Sequence, residues 1–94
     1  MSTPDVAAAI PLGAYVVRVV FADGEIRDVD IEPILSGPVF EPLRDVELFR
    51  RVTVDETGDT IIWPNGADLD PGVIYGSSPP DWQPAVRITT PRLA

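Results

Sequence analysis

The stretch "AYVVRVVFADGEIRDVDI", residues 14–31, decides the fold. β-Branched and aromatic residues crowd both sides of Asp23-Gly24, which is a hairpin signal. The length of the loop follows from the faces. A two-residue loop pairs Val19 with Asp28 and puts Asp28 and Asp30 on the same side as Val17 and Val19. A three-residue loop, Ala22-Asp23-Gly24 with Gly24 left-handed, keeps Tyr15, Val17, Val19, Phe21, Val29 and Ile31 on one apolar face. It also leaves Arg18 on the other face near Asp28 and Asp30. A one-residue slip moves a whole strand to the wrong face, so the spacing predicts the three-residue loop.

A second hairpin is predicted in "RRVTVDETGDTIIWPNG", residues 50–66. A four-residue loop from Asp55 to Gly58 sets Val52 opposite Ile61 and Thr53 opposite Thr60. Val52, Val54, Ile61 and Trp63 then share the core face. Each hairpin is followed by a similar phrase, "DIEPILSG" and "DLDPGVIYG". Asp30 and Asp68 correspond as helix caps, and Pro33 and Pro71 as first-turn residues. Between the two units, "PVFEPL" reads as an edge strand because Pro38 and Pro42 cannot donate to a ladder. "RDVELFRR" reads as a short helix capped by Asp45, with Leu48 and Phe49 turned inward. The fold class is α+β: two β-hairpins, each followed by a short helix, joined by an edge strand and a short helix.

This pattern occupies residues 14–76. Residues 1–13 are expected to be a flexible N-terminal segment, and residues 77–94 a Pro-rich C-terminal arm. A core of about 63 residues buries roughly 60% of its chain surface and seldom supplies more than about 3–5 kcal/mol. Help from the arm, a partner or a second copy is therefore expected. Val86 and Ile88 alternate with Arg87 and Thr89, so the arm can add as a strand within the chain or between chains.

Composition narrows the function. The 94 residues carry fifteen carboxylates against seven arginines, a net charge of -8. That balance repels a phosphate backbone and attracts a basic protein. With no cysteine and no histidine, thiolate chemistry, Ser-His or Cys-His catalysis and the commonest metal ligand are excluded. No enzyme activity and no cofactor are expected. No apolar run approaches a membrane span and no signal peptide is visible, so a cytoplasmic protein is expected. The EF-hand spacing fails in the acidic run from Asp23 to Glu32, since the sixth position counted from Asp28 is Pro33. That run is expected to be a solvated strand face.

"WPNGADLDPGVIYG", residues 63–76, is the densest candidate site. Turn chemistry and capping explain Pro64-Asn65-Gly66, Asp68, Asp70 and Pro71. A contact surface made of Trp63, Asn65, Asp68 and Trp82 on the arm is the leading functional expectation. Asn65, Asp68 and Asp70 as a divalent-metal or small-ligand site is the alternative, and an arm-exchanged homodimer is another.

The run from Thr60 to Tyr75, with Trp63, the Pro64-Asn65-Gly66 turn, Asp68-Leu69 and the aliphatic-Tyr ending, resembles the bacterial family called domain of unknown function 2442. Phe40, Leu43, Asp45 and the Leu48-Phe49 pair fit the same resemblance. It implies a small α+β domain with no catalytic residues to carry over. It also implies a partner encoded nearby, from domain of unknown function 4160, in an arrangement like a toxin–antitoxin pair. Some relatives add a DNA-binding helix-turn-helix, for which residues 77–94 are too short and too rich in proline.

Overall fold

A computed structural model describes residues 4–69, 74–75 and 86–90. Strands β1 (Val6–Pro11), β2 (Val16–Phe21) and β3 (Ile26–Asp30) open the chain. A 3-10 turn (Glu32–Ile34), helix α1 (Gly37–Phe40), a second 3-10 turn (Glu41–Arg44) and helix α2 (Val46–Phe49) follow. Strands β4 (Thr53–Val54) and β5 (Ile61–Ile62) form a small sheet. Ile74 and Tyr75 are helical, and β6 (Arg87–Thr89) completes a four-stranded antiparallel sheet of order β1-β2-β3-β6.

The first hairpin has the register that the faces demand. Val17 pairs with Val29 and Arg18 with Asp28. The amide of Phe21 donates to the Glu25 carbonyl (2.8 Å), and that of Gly24 to the Phe21 carbonyl (2.9 Å). Gly24 has φ 91°, a conformation that costs any residue with a Cβ. Val17, Val19, Phe21, Val29 and Ile31 are all buried, and Tyr15 packs against them. On the other face the Arg18 guanidinium grips the Asp28 carboxylate through two bonds of 2.8 and 2.9 Å.

The N-terminal segment, expected to be flexible, carries β1. Its "VAAAIP" lacks the β-branched density that marks β2. The strand forms because the free edge of β2 supplies the hydrogen bonds, and tertiary pairing overrides alanine's weak strand preference. A bulge between Val6 and Ala8 shifts the register. Val6 is buried, and Ala9 packs on the same core.

"PVFEPL" is helical and not an edge strand. Pro38 and Pro42 each occupy the opening positions of a helical turn. A fixed φ and a missing amide suit a helix start as well as a sheet edge. Asp45 caps α2 as expected, its carboxylate accepting from the Glu47 amide at 3.0 Å. Asp30 is not the cap expected of it: Ile31 holds the N-cap position of the first 3-10 turn, and the Asp30 carboxylate accepts from the Glu32 amide at 3.0 Å from one residue further back.

The second hairpin has a four-residue loop, displaced by one residue from the expected position. Val54 pairs with Ile61 and Thr53 with Ile62, and the Asp55 amide donates to the Thr60 carbonyl at 2.9 Å. The loop is thus residues 56–59. Asp55 fixes it by accepting from the amide (3.2 Å) and the hydroxyl of Thr57. Each pairing moves by two residues, so the faces survive: Val52, Ile61 and Trp63 are buried, with Val54 packed beside them.

The C-terminal arm pairs with this chain's own β3: Asp30 with Arg87, Val29 with Ile88, Asp28 with Thr89. Val86 is buried and Ile88 packs on the core. The small core thus gains apolar area from both ends of the chain.

Candidate functional site

The Trp63–Asp68 turn repeats the first hairpin's loop. The Trp63 amide donates to the Ala67 carbonyl (2.9 Å), the Gly66 amide donates to the Trp63 carbonyl (3.0 Å), and Gly66 has φ 90°. Asn65 Oδ1 accepts from the Ala67 amide at 3.1 Å, as Asp23 Oδ1 accepts from the Glu25 amide at 2.9 Å. The repeated device is therefore the loop Ala22-Asp23-Gly24 and its counterpart Pro64-Asn65-Gly66. "DIEP" and "DLDP" diverge: Asp30 precedes a 3-10 turn, while Asp68 forms a β-bridge with Ile62.

Among the described residues, Trp63 shares no exposed surface with Asn65 and Asp68. Trp63 is 2% exposed. Its indole N–H donates to the Phe49 carbonyl at 2.9 Å, and its ring lies 6.2 Å from that of Phe49. It is a core side chain and cannot meet a partner in this fold. Asn65 is exposed, but its amide nitrogen donates to the Val39 carbonyl at 2.9 Å, stapling the turn to α1. With its oxygen also engaged, Asn65 explains itself as a turn residue. Asp68 is exposed. Trp82 and Asp70 lie outside the described residues. Among the described residues, no group of three or more Asp, Glu, His or Cys side chains is arranged to hold a metal ion.

What the fold does assemble is an acidic pole. The Ala22 amide donates to the Asp5 carbonyl (2.8 Å), and the Val6 amide donates to the Gly58 carbonyl (2.7 Å). These bonds bring the start of β1, the tip of the first hairpin and the tip of the second to one end of the molecule. A Cβ on Gly58 would sit 3.7 Å from the Asp5 carboxyl carbon. Asp5, Asp23, Glu25, Asp55, Glu56 and Asp59 all belong to this end, and all but the half-buried Asp55 are exposed. Among the described residues, Arg27 lies beside them. It is occupied by Glu25 (2.8 Å) and the Tyr75 carbonyl (3.3 Å), and it stacks 5.1 Å over the Tyr75 ring.

Two of these carboxylates are held firmly in the charged state. Asp23 lies below the usual aspartate range because the Glu25 amide and then the Tyr75 hydroxyl donate to it. Asp55 is lowered by the hydroxyl and then the amide of Thr57. Hydrogen bonds that favour the anion keep it ionised. The Tyr75 hydroxyl, 2.8 Å from Asp23 Oδ2, is raised in turn.

Sequence patterning placed these acids on strand faces and loops without revealing that two distant tips converge. The missed signal is β1: only a strand paired with β2 carries Asp5 to both tips. The nearest sequence cue was Val6, Ala9 and Ile10 within an otherwise small-residue run.

The architecture defines a small α+β domain, an antiparallel sheet with one face covered by short helical turns and a two-stranded ribbon. The chain belongs to the family described as protein of unknown function (DUF2442), whose model matches residues 6–80. The match includes β1. No curated protein and no solved structure matches the chain. Among the described residues no helix is long and apolar enough to cross a membrane.

Proposed function

We propose that this chain is a non-enzymatic, cytosolic protein–protein interaction domain. It docks a basic protein partner through the acidic pole, as the antitoxin-like half of a pair of small proteins encoded together. One observation carries the reading: Asp5, Asp23, Glu25, Asp55, Glu56 and Asp59 converge at one end, where, among the described residues, Arg27 is already occupied within the chain. A field of one sign at a convex tip steers an oppositely charged partner and speeds encounter, and salt screens it. The docking surface moves from Trp63, which is buried, to the hairpin tips.

The test is affinity purification of the tagged chain from its own host at low and at high salt, with mass spectrometry of the eluates. A stoichiometric basic protein present at low salt and lost at high salt is the expected result. Retention unaffected by salt, or an acidic partner, would overturn the reading.

A further inference from the structure

At the opposite end of β2 the chain does something costly. The turn from Gly13 to Val16, closed by the Val16 amide on the Gly13 carbonyl at 3.4 Å, places Ala14 at φ 58° and Tyr15 at φ 63°. Both central positions of such a turn favour glycine or asparagine. Gly13 stands one position too early to relieve either. Tyr15 is held there by three contacts: its carbonyl accepts from the Ile31 amide (3.0 Å), its hydroxyl donates to the Arg44 carbonyl (2.6 Å), and its ring meets Phe49 edge-on at 5.4 Å. Backbone strain fixed by surrounding contacts gathers at ligand-binding sites.

The strained turn forms one wall of an open groove of about 390 Å³, lined by Leu12, Ala14, Tyr15, Val46, Phe49 and Arg50 among others. That volume suits a small ligand. Val46, Phe49 and Arg50, the last being the C-cap of α2 with a helical backbone, stand at helical spacings of three and four and so lie on one side of it. Glu47 lies about 100° round the helix from Val46 and does not line the groove. Asp45 is engaged as the cap of α2. Val46 is left 53% exposed. The one charged lining group is a cation. In a chain with fifteen carboxylates for seven arginines, Arg18 and Arg27 are ion-paired and Arg44 donates to the Leu35 carbonyl. Among the described residues the Arg50 guanidinium has no such partner.

We infer that this groove is a binding site for a small carboxylic acid with an apolar body. The body rests against Val46 and the half-buried Tyr15, and the carboxylate meets the Arg50 fork, a geometry that favours two parallel N–H bonds. The site is separate from the acidic pole and stands or falls independently of it.

The test titrates 3-phenylpropionate into the ¹⁵N-labelled chain, with 3-phenylpropionamide as the neutral analogue, and follows backbone amide shifts. Saturable shifts centred on residues 12–15 and 46–50 are expected for the acid. Affinity should be about tenfold or more weaker for the amide and for R50Q, as befits a hydrogen bond to a charged group. R51Q should bind as the parent does. Equal affinity for acid and amide would overturn the assignment, as would shifts centred elsewhere, an R51Q loss as large as that of R50Q, or no saturation at millimolar ligand. The spectrum of each variant reports its own folding, and the acid–amide comparison on the parent chain decides the matter where a variant unfolds.

Discussion

Replacing Trp63 with Phe separates a buried indole from an exposed one. The Phe49 carbonyl accepts the indole N–H at 2.9 Å in the core. Removing that donor leaves a buried acceptor unsatisfied, which costs about 1–3 kcal/mol. The smaller ring also vacates space equal to about two carbon groups beside Phe49, worth roughly 0.8 kcal/mol each. The two effects together give about 2.6–4.6 kcal/mol. A chain of this length has a total stability of roughly 5–14 kcal/mol, at about 0.05–0.15 kcal/mol per residue. W63F should therefore lower the urea midpoint strongly with an unchanged slope, and the melting temperature by roughly 10–35 °C. Far-UV circular dichroism is the assay, since the substitution removes a fluorophore. A loss below about 0.5 kcal/mol, the range of ordinary surface changes, would refute the buried placement and return Trp63 to the contact surface.

The two matched loops make a paired prediction. Gly24 and Gly66 have φ 91° and 90°, and a Cβ at either meets nothing within 4 Å, so G24A and G66A should each cost about 1–2 kcal/mol from backbone strain alone; unequal losses in urea melts would show that the loops differ. A14G removes a left-handed cost of about 1–2 kcal/mol and adds about 0.4–1 kcal/mol of unfolded-chain entropy. Its urea midpoint should rise, and a fall would show that the Ala14–Tyr15 turn is unstrained. Asp23 is lowered in the folded state, so its contribution is present above its unfolded pKa near 3.8 and fades as pH falls through the lower folded value. D23N should flatten the acid limb of stability against pH below about 4, and an unchanged limb would contradict the bonds that Asp23 accepts from the Glu25 amide and the Tyr75 hydroxyl. Tyr75 is raised, so its contribution persists to about pH 10 and fades as pH rises through the higher folded value; Y75F should remove that alkaline loss, and a limb identical to the parent's would contradict it.

The parts of the fold legible in the sequence were those where a side-chain period had one consistent answer. In residues 14–31 the carboxylates Asp28 and Asp30 forbid the two-residue loop, so burial alone selected the register. In the second hairpin, Val52, Val54, Ile61 and Trp63 share a face under either of two loops that differ by one residue. Parity was therefore readable and register was not, because Asp55 chooses between the loops through local bonds to Thr57. Strand β1 escaped because alanine carries almost no strand signal, and pairing with β2 supplies what propensity lacks. Pro38 and Pro42 misled because proline fits a helix start and a sheet edge equally.

The site was less legible for the same reason. Trp63, Asn65 and Asp68 looked like a surface because turn chemistry and recognition use the same residue types. In the fold the indole turns inward to Phe49 and the Asn65 amide is consumed by Val39 and Ala67. The acidic pole depends on three segments separated by some fifteen to thirty residues each, and no local pattern announces their meeting. The strained turn at Ala14 and Tyr15 is likewise invisible to propensity, since neither residue type signals a left-handed backbone.

If the acidic pole docks the partner, neutralising it must release that partner. D5N/E56Q/D59N removes three charges and spares Asp23 and Asp55, whose carboxylates also hold their loops. The parent and the variant, each tagged and expressed in the native host, would be purified side by side at low salt. A stoichiometric basic protein is expected with the parent and a marked loss of it with the variant, both chains melting alike. Equal recovery with the neutralised variant, or no partner with either chain, would contradict it.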